Sequence, residues 1–471
     1  MSAPRHSDLR RVHFTGICGT AMGALAAALR DRGVAVTGSD DNVYPPMSTF
    51  LESKGIAISR GFRPENIPAD ADFVVIGNAM TRGNAEVEAI LNRKLLYYSL
   101  PEALKIFFLR GRHNIVVTGT HGKTTTTSLL AWIFESAGKN PSWLIGGIPH
   151  NLGQGCRLGD SKHFILEGDE YDTAFFDKRS KFVHYLPELL IVNNIEFDHA
   201  DIFRDLEDIM TSFRHLLQIV PGEGMVLLNG DDPNCRALAE HCPAPLLEVG
   251  LSPNAGHHIS DVELGRNSSS FTIFGERFEV PMIGEFNVRN AAMAVSAAHF
   301  YNIPLPAIRE ALRTFTGIRR RQEVRGEAGG VTVVDDFGHH PTAIAQTLAG
   351  LRVKYPAAKL WALFEPRSNT TRRAVFQQAL PAAFAGADGI VLAQVARLEQ
   401  LPENERLQPE KIVADLRRAG KAAFYEPDTA SIVERAAGLA AAGDVIVVFS
   451  NGGFDDIHGK LLEALAAGTK A

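Results

Sequence analysis

Short apolar runs alternate with longer helical patterns along most of the chain. The apolar runs are rich in β-branched residues and end in glycine or a small polar residue, as in RVHFTG (11–16) and NIVVTG (114–119). Buried parallel strands have this pattern, and helical segments between them are typical of βαβ units. The pattern therefore predicts an α/β protein built on parallel sheets.

The runs fall into three blocks, which we interpret as three domains. Residues 1–111 contain RVHFTG, VAVTG and DFVVIGNA, and residues 112–318 begin with NIVVTG. A polar, alternating stretch around residues 252–283 predicts a small antiparallel element attached to the second block. Residues 319–471 contain VTVVDDF, KLWALFEP, GIVLAQV and DVIVVFSNGG. We expect domain boundaries near residues 111 and 318, which fits a length of 471 residues at roughly 100–200 residues per domain.

Composition and charge narrow the class of protein. The chain is 45% hydrophobic and 22% charged, with a formal net charge of −6, so we expect neither a nucleic-acid nor a membrane partner. Four cysteines without a C-x-x-C pair are typical of reduced thiols. No signal-peptide pattern and no long apolar span is evident, which predicts a cytoplasmic protein. The oligomeric state, monomer or dimer, stays open.

The segment VVTGTHGKTTTTS (116–128) combines a strand, a turn with two glycines and a helix start. It departs from the G-x-x-x-x-G-K-[ST] phosphate loop, because only two residues separate Gly119 from Gly122. In such a loop Lys123 reaches the terminal phosphates and the Thr124 hydroxyl contacts Mg²⁺. The alternative is a tight turn before a threonine-capped helix.

The short form TGTHGKTTT resembles the phosphate loop of the Mur ligase family, which joins amino acids or peptides to UDP-linked muramic acid. The resemblance implies a Rossmann-like amino-terminal domain for the UDP-sugar, a central ATPase domain and a Rossmann-like carboxy-terminal domain. It also implies ATP and Mg²⁺ as cofactors. The ATP-binding residues implied in the loop are Gly119, Thr120, His121, Gly122, Lys123, Thr124 and Thr125.

Carboxylates after a predicted strand, in LEGDEYD (166–172), suit a hard cation. By resemblance Glu167 binds the Mg²⁺ shared with Thr124, and Asp169 and Glu170 are further candidates. A solvated acidic loop is the alternative interpretation. In NNIEFDHADIF (193–203) the resemblance implies His199 as a ligand of a second Mg²⁺, whereas a lone Asp-His pair is more often structural.

Some relatives complete the second metal site with a carbamylated lysine. This chain has no lysine between Lys181 and Lys354, so that group is excluded from the segment. Family members that add alanine share this departure.

Three later stretches resemble family segments that contact ATP. Asn290 in GEFNVRNAAMAV is implied at the adenine, although a helix cap is the simpler interpretation. Arg321 in GIRRRQEV is implied at the γ-phosphate, and Asp336 in DDFGHHPT, preferred to Asp335, at the ribose. The implied catalytic residues are Lys123, His199 and Arg321.

The amino-terminal GICGTAMG (16–23) follows a predicted strand and opens a helix. A dinucleotide-dependent oxidoreductase is one alternative, but the G-x-G-x-x-G spacing fails at Cys18 and Ala21. The resemblance instead implies that this loop holds a UDP diphosphate. The implied UDP-sugar-binding residues are Gly16, Cys18, Gly19, Thr20, Met22, Ser39, Asp40 and Asn78.

The stretches NVYPPMST, FEPRSNTTRR and SNGGFDDIHG are similar to one branch of the family. This similarity implies ATP-dependent ligation of UDP-N-acetylmuramate to L-alanyl-γ-D-glutamyl-meso-diaminopimelate through an acyl phosphate, in peptidoglycan recycling. Pro45 and Pro46 predict a rigid turn before the next helix. The alternatives are the alanine-adding branch and a non-enzymatic nucleotide-binding regulator.

The third domain is implied to receive the murein tripeptide. Arginines bind carboxylates bidentately, which suits the D-glutamyl and diaminopimelate groups. The implied peptide-binding residues are Arg367, Ser450 and Asn451, with Arg372 and Arg373 as further candidates. Because the implied ligands lie in different domains, we expect closure of the third domain on the second to assemble the site.

Overall fold

Three large, mainly parallel β-sheets organise the chain, as the alternating pattern predicts. The structure is a computed structural model that describes residues 9–44 and 47–468. Pro45 and Pro46 of the predicted turn lie outside the described residues. Each large sheet is flanked by helices. One continuous apolar cluster extends from the amino-terminal sheet to one face of the central sheet, and further clusters cover the other face of the central sheet and the third sheet.

The amino-terminal sheet has five parallel strands in the order β3-β2-β1-β4-β5. Its central strands are almost fully buried, and the alanine-rich α1 packs against them through Leu25 and Leu29. Asn84 caps α3 by accepting backbone hydrogen bonds from Glu86 and Val87. The elements are β1 (Arg11–Thr15), α1 (Thr20–Asp31), β2 (Ala35–Asp40), α2 (Met47–Ser53), β3 (Ala57–Arg60), β4 (Phe73–Ile76), α3 (Ala85–Asn92), β5 (Tyr97–Ser99) and α4 (Leu100–Leu104).

The central sheet has eight strands in the order β15-β14-β13-β12-β6-β9-β7-β8, all parallel except the β7–β8 pair. β16, β17 and β18 form the small antiparallel sheet expected in the polar stretch, and β10 and β11 form a hairpin. The elements are β6 (His113–Thr118), α5 (Lys123–Ser136), β7 (Ser142–Leu144), β8 (Cys156–Arg157), β9 (His163–Glu167), β10 (Asp172–Ala174), β11 (Asp177–Ser180), β12 (Leu189–Val192), α6 (Leu206–Leu217), β13 (Met225–Asn229), α7 (Pro233–Ala239), β14 (Leu246–Gly250), β15 (His257–His258), β16 (Ser260–Leu264), β17 (Ser269–Ile273), β18 (Glu276–Val280), α8 (Glu285–Phe300) and α9 (Leu305–Arg313).

The third sheet has six strands in the order β19-β20-β24-β21-β22-β23, and only the edge strand β19 is antiparallel to its neighbour. β21, β22 and β24 are buried along their whole length, as expected for a sheet covered on both faces. The elements are β19 (Glu323–Ala328), β20 (Val331–Asp336), α10 (Pro341–Lys354), β21 (Leu360–Phe364), α11 (Ala379–Ala383), β22 (Gly389–Ala393), α12 (Pro409–Arg418), β23 (Ala422–Glu426), α13 (Thr429–Leu439), β24 (Val445–Phe449) and α14 (Ile457–Gly468).

We call each large sheet with its flanking helices a region: the amino-terminal region, the central region and the third region. Polar contacts join the three regions. Arg32 of the amino-terminal region donates to the Leu158 carbonyl at 2.7 Å in the central region. On the other side, the Asn369 amide donates to Asp201 Oδ2 at 2.7 Å, and the Ala200 N–H donates to Thr370 Oγ1 at 3.2 Å. Residues at or just after the carboxyl ends of β6, β9 and β20 line a cleft between the central and third regions, and open α/β sheets bind ligands at such ends.

None of the helices in the described residues is long and apolar enough to cross a membrane. The cytoplasmic location and the domain boundaries expected from the sequence stay predictions.

A buried carboxylate, Glu86 at the start of α3, connects the strands of the amino-terminal sheet. Its Oε2 accepts from the hydroxyls of Thr15 at 2.9 Å and Ser39 at 2.5 Å, and its Oε1 accepts from the Asn66 amide at 2.7 Å. The Glu86 side chain is 0% exposed. Its removal would leave several buried donors without an acceptor.

We therefore expect Glu86→Ala to lower the free energy of opening of this unit by about 3–5 kcal/mol, as when one partner of a buried charged network is removed. Native-state hydrogen exchange of the β1 and β2 amides measures this quantity. Glu88→Ala is the matched control, because Glu88 lies on the same helix in an exposed pair with Arg82. Equal protection in both variants would contradict the role given to Glu86.

Candidate active site

The phosphate loop connects the end of β6 to the start of α5 and depends on its two glycines. Gly119 has φ +123° and Gly122 has φ +79°. A Cβ on Gly119 would lie 2.9 Å from the Asn194 backbone, and one on Gly122 would lie 2.3 Å from Asn290 Oδ1. The Asn194 side chain accepts from the His121 N–H at 2.7 Å. The loop is therefore tightly held at a conformation that other residues cannot adopt.

Lys123 is the first residue of α5, and its ammonium group is largely buried. It donates to the Gly119 carbonyl at 2.6 Å and to the two oxygens of Glu170 at 3.0 and 2.8 Å. Burial acts to lower the pKa of Lys123, but the carboxylates of Glu170 and Asp169 outweigh it and raise the pKa. Lys123 is thus a charged donor at the base of the loop.

Thr124, Glu167 and Arg321 meet beside the loop. The Thr124 hydroxyl donates to Glu167 Oε1 at 3.0 Å, and the Gly146 N–H donates to Oε2 at 2.7 Å. Burial raises the pKa of Glu167, so a cation close to it would be strongly favoured. Arg321 Nη2, from the third region of the chain, lies 3.3 Å from Thr124 Oγ1. A hydroxyl and a carboxylate are suitable ligands for Mg²⁺.

His199 lies on the other side of Glu170. Its backbone has φ +55°, and its Nε2 is 3.2 Å from Glu170 Oε1. Burial alone would lower the pKa of His199, but its hydrogen bond to Glu170 and the neighbouring negative charge raise it to about 9. Asp169, Glu170 and His199 could each offer a ligand atom to one cation. Here the imidazolium forms an ion pair instead.

Glu170 is the residue to which sequence reasoning gave too little weight. It is 2% exposed and bridges Lys123 and His199. The only signal for it was its place in the acidic cluster after β9.

The cleft next to the loop is formed by the central and third regions. A cavity of about 260 Å³ runs from Lys123 and Thr125 to Asp336, and a neighbouring cavity of about 200 Å³ lies between His121 and Asn290. Asp336, rather than Asp335, lines the larger cavity. Its oxygens accept from the backbone N–H groups of Gln322 and Gly338 at 2.9 and 2.8 Å, and burial raises its pKa.

Asn290 is 5% exposed, and its amide is held inside α8. Its Nδ2 donates to Asn287 Oδ1 at 3.3 Å, and its Oδ1 accepts from the Thr126 hydroxyl at 3.3 Å. It is therefore not the simple helix cap that was the alternative interpretation. Its implied contact with adenine stays a prediction.

A third cavity, of about 290 Å³, lies between the amino-terminal and central regions. Four residues implied for the UDP-sugar line it: Gly19, Thr20, Met22 and Asn78. Glu167 and Asp169 line both this cavity and the cavity at the phosphate loop. The two binding spaces therefore meet at these carboxylates.

Ser39 corrects the prediction for this loop. Its side chain is buried and its hydroxyl donates to Glu86, so it is closed to a ligand. Asp40 stabilises the loop by accepting hydrogen bonds from the backbone N–H groups of Cys18 and Asn42 at 2.9 Å each. Burial and the Asp40 charge raise the pKa of Cys18 to about 11. Gly16 has φ +86° and turns the chain out of β1.

The predicted peptide residues are only partly accessible. Ser450 is 0% exposed, and its hydroxyl donates to Glu365 at 2.5 Å, which contradicts direct contact of this side chain with a peptide. Arg367 is 42% exposed and lies across Gly452, 3.5 Å from Glu365. Asn451 is half-buried, and its Oδ1 accepts no hydrogen bond. Both remain candidates.

Arg372 and Arg373 are held by their own region. Arg372 is 5% exposed and donates to Asn369 Oδ1 at 2.8 Å, and Arg373 pairs with Glu405. Their guanidinium groups are therefore paired within their own region, and their contact with the peptide stays a prediction.

The contacts of Asn369 reveal a link that sequence reasoning missed. Asp201 Oδ2 accepts from the Asn369 amide and from the Tyr171 hydroxyl, and the Tyr171 ring packs edge-on against His199 at 5.2 Å. This network connects His199, one of the three residues that could hold a second cation, to the third region. Polar residues on three separate loops carry no joint pattern along the chain, so no sequence signal could have found it.

The fold and the site define an α/β protein whose phosphate loop faces a cleft between two of its three units. Family models agree along the chain: the Mur ligase family catalytic domain matches residues 11–112, the Mur ligase middle domain 117–298, and the Mur ligase glutamate ligase domain 320–452. The chain belongs to the Mur ligase family.

Comparison with individual ligases of the family shows which of them this chain is similar to. The UDP-N-acetylmuramate–L-alanyl-γ-D-glutamyl-meso-2,6-diaminoheptandioate ligase of Escherichia coli K12 is 44% identical over 98% of this chain and 99% of its own length. A crystal structure of a murein peptide ligase from Psychrobacter arcticus 273-4 has a TM-score of 0.74 and 35% identity, covering 97% of this chain and 99% of that one. The UDP-N-acetylmuramate–L-alanine ligase of Solidesulfovibrio magneticus is 33% identical over 97% of this chain and 99% of its own length.

The loop geometry predicts a specific effect of Gly122→Ala. The new Cβ would clash with Asn290 and force one of the two groups to move, so we expect at least a roughly tenfold loss of ATP affinity, equal to about 1.4 kcal/mol. Isothermal titration calorimetry with ATP measures it. Gly138→Ala is the matched control, since Gly138 also has positive φ (+69°) but nothing lies within 4 Å of its added Cβ. An equal loss in both variants would show that backbone strain alone is responsible.

The ion pair at His199 predicts a pH dependence. Because the pKa in the folded state is about 9, above the ordinary value of about 6.5, the pair contributes its full stability below pH ~6.5 and loses it as the pH rises through 9. Metal binding at His199 requires the neutral ring, so it strengthens in the same upper range.

NMR titration of the His199 ring in the metal-free protein tests this prediction. Glu170→Gln should lower the midpoint, because it removes the largest contribution that opposes burial, while Asp198 and Asp169 still raise the pKa of His199. A wild-type midpoint under pH 7 would refute the ion pair.

Proposed function

We propose that this protein uses ATP to join UDP-N-acetylmuramate to L-alanyl-γ-D-glutamyl-meso-diaminopimelate, as in the recycling of peptidoglycan. The observation that carries the proposal is the meeting of two cavities at Glu167 and Asp169, one at the phosphate loop and one at the amino-terminal glycine loop. The full-length similarity to the E. coli ligase at 44% identity supports the choice of substrates.

The reaction consists of two transfers. A lactyl carboxylate oxygen of UDP-N-acetylmuramate attacks the γ-phosphorus, and the bond to the β–γ bridging oxygen breaks to release ADP. The neutral α-amine of the peptide then attacks the acyl carbon. The tetrahedral intermediate expels phosphate, and the nitrogen loses one proton to give the amide.

The first transfer brings two anions together, so the site must supply positive charge. Lys123 carries one charge at the base of the loop, and Arg321 carries another beside Thr124. Both guide the γ-phosphate and stabilise the charge that develops on it. Neither acts as a nucleophile.

Two Mg²⁺ sites fit the side chains in place. Thr124 and Glu167 would hold one ion, and His199 with Asp169 or Glu170 would hold the other. When bound, Mg²⁺ neutralises phosphate and carboxylate charge. As a ligand His199 would be neutral, because only a neutral imidazole coordinates, so it would give up the proton that bonds Glu170 in this structure.

The third region completes the site from across the cleft. Arg321 and Asp336 belong to it, whereas the phosphate loop belongs to the central region. The contacts of Asn369 and Thr370 with the segment after His199 hold the two together. Domain closure in the reaction brings Arg321 to the γ-phosphate, and opening releases the products.

The choice between peptide and alanine as acceptor is the point at which two branches of the family differ. The identity of 44% to the tripeptide-adding ligase against 33% to an alanine-adding ligase favours the peptide. Of the three implied peptide-binding residues, Arg367 and Asn451 are not fully buried, and Arg367 is the candidate for binding the carboxylates of the peptide.

ADP release with MgATP and UDP-N-acetylmuramate tests the proposal, with either L-alanine or the tripeptide as acceptor. We expect turnover with the tripeptide and at least roughly a hundredfold lower kcat/KM with L-alanine, a difference of about 2.7 kcal/mol in transition-state binding. Arg321→Ala should abolish most turnover with the tripeptide, and Arg319→Ala, which alters an exposed neighbour, should not. Turnover with alanine alone would place the protein in the other branch.

A further inference from the structure

Two histidines and a glutamate meet at the border between the central and third regions. His121 Nε2 is 2.9 Å from Glu196 Oε2, and His340 Nδ1 is 3.3 Å from the same oxygen. All three ligand atoms lie within 4.8 Å of one another. His121 is implied at ATP as part of the phosphate loop, but the two transfers described above assign no step to any of these three side chains.

The backbone determines which nitrogen of His340 has a lone pair. Its Nε2 faces the Phe197 carbonyl at 3.2 Å and must donate, while its Nδ1 accepts from the Thr342 N–H at 3.2 Å. The ring is therefore neutral, and the bare Nδ1 faces a carboxylate oxygen of Glu196. The Nδ1 lone pair and the negative Glu196 oxygen lie 3.3 Å apart, an unfavourable arrangement that a cation between them would relieve.

The second ring nitrogen of His340 makes the hydrogen bond that is typical of a histidine bound to a metal. A histidine that binds a metal usually donates its other ring N–H to a carbonyl or carboxylate, as His340 does to Phe197. The backbone of His121 is held by the Asn194 amide, and that of Glu196 accepts and donates hydrogen bonds with the Thr120 hydroxyl. The backbone segments that carry these ligands are thus held in place.

The ligand types of His121, Glu196 and His340 favour particular metals. Two imidazoles and one carboxylate suit Zn²⁺ and its neighbours Co²⁺ and Ni²⁺, whereas Mg²⁺ prefers oxygen ligands. Ligand atoms bound at about 2.1 Å in a tetrahedral site lie about 3.4 Å apart, close to the 3.3 Å between His340 and Glu196. Binding would displace the hydrogen bond from Thr342 to His340 Nδ1. It would also release to solvent the proton that His121 Nε2 donates to Glu196, because only an unprotonated nitrogen coordinates.

We propose that His121, Glu196 and His340 form a binding site for a divalent transition metal of the zinc class. His121 belongs to the phosphate loop, and His340 precedes the first turn of α10. An ion held by all three residues connects the two regions across the nucleotide cleft and stabilises their closed arrangement. The site is separate from the Mg²⁺ ligands, and the proposal does not depend on the identity of the acceptor.

Titration of the full-length protein with Co²⁺ in excess Mg²⁺ tests the site, because tetrahedral Co²⁺ absorbs strongly in the visible range. We expect one equivalent to bind with a tetrahedral spectrum in wild type. Glu196→Gln and His340→Asn should each weaken binding by at least roughly a hundredfold, since each removes a ligand. Asparagine at position 340 keeps a helix cap for the Thr342 N–H, and the melting temperature of each variant checks folding.

Two further variants separate the alternatives. His339→Asn alters the neighbouring histidine, and His199→Asn removes the imidazole of the other cluster; both should leave the Co²⁺ spectrum and affinity within about twofold of wild type. Zn²⁺ should raise the melting temperature of wild type but not of Glu196→Gln. Loss of Co²⁺ binding in His199→Asn alone, or its survival in both ligand variants, would overturn the proposal.

Discussion

A buried ammonium group holds the centre of this protein together. Lys123 would be destabilised by burial, but two oxygens of Glu170 at 3.0 and 2.8 Å and the Gly119 carbonyl at 2.6 Å surround it. This arrangement joins the phosphate loop, the start of α5 and the acidic segment after β9. Because Glu170 also pairs with His199, one carboxylate sets the geometry of both halves of the site.

The same contacts explain how such a site can exchange anions. In this structure Glu170 provides the negative charge that the buried Lys123 requires. On the proposed function, phosphate oxygens replace the carboxylate, and the displaced Glu170 becomes available to a cation. Charge at Lys123 stays balanced in both states, which avoids the large cost of an unpaired buried charge.

The sequence predicted the fold well because its signals are local. The apolar runs RVHFTG and NIVVTG form β1 and β6, and the strand, glycine turn and helix of the phosphate loop follow each other in the chain. The accessibility of a side chain depends instead on contacts with residues that are distant in the sequence. Ser39 and Ser450 look alike as exposed polar residues after a strand, yet each is buried against a glutamate distant in the sequence, Glu86 or Glu365. Only the packed structure determines these pairs.

The passage between the two cavities depends on a similar long-range constraint. β7 ends at Leu144, and the glycines that follow it run past the metal ligands. A Cβ on Gly146 would lie 2.8 Å from Glu167 Oε1, and one on Gly147 would lie 2.9 Å from Thr124 Cγ2. Any larger residue would push the carboxylate or the threonine out of place. The absence of side chains at these two positions therefore allows Glu167 to face both cavities, which the proposed transfer between nucleotide and sugar carboxylate requires.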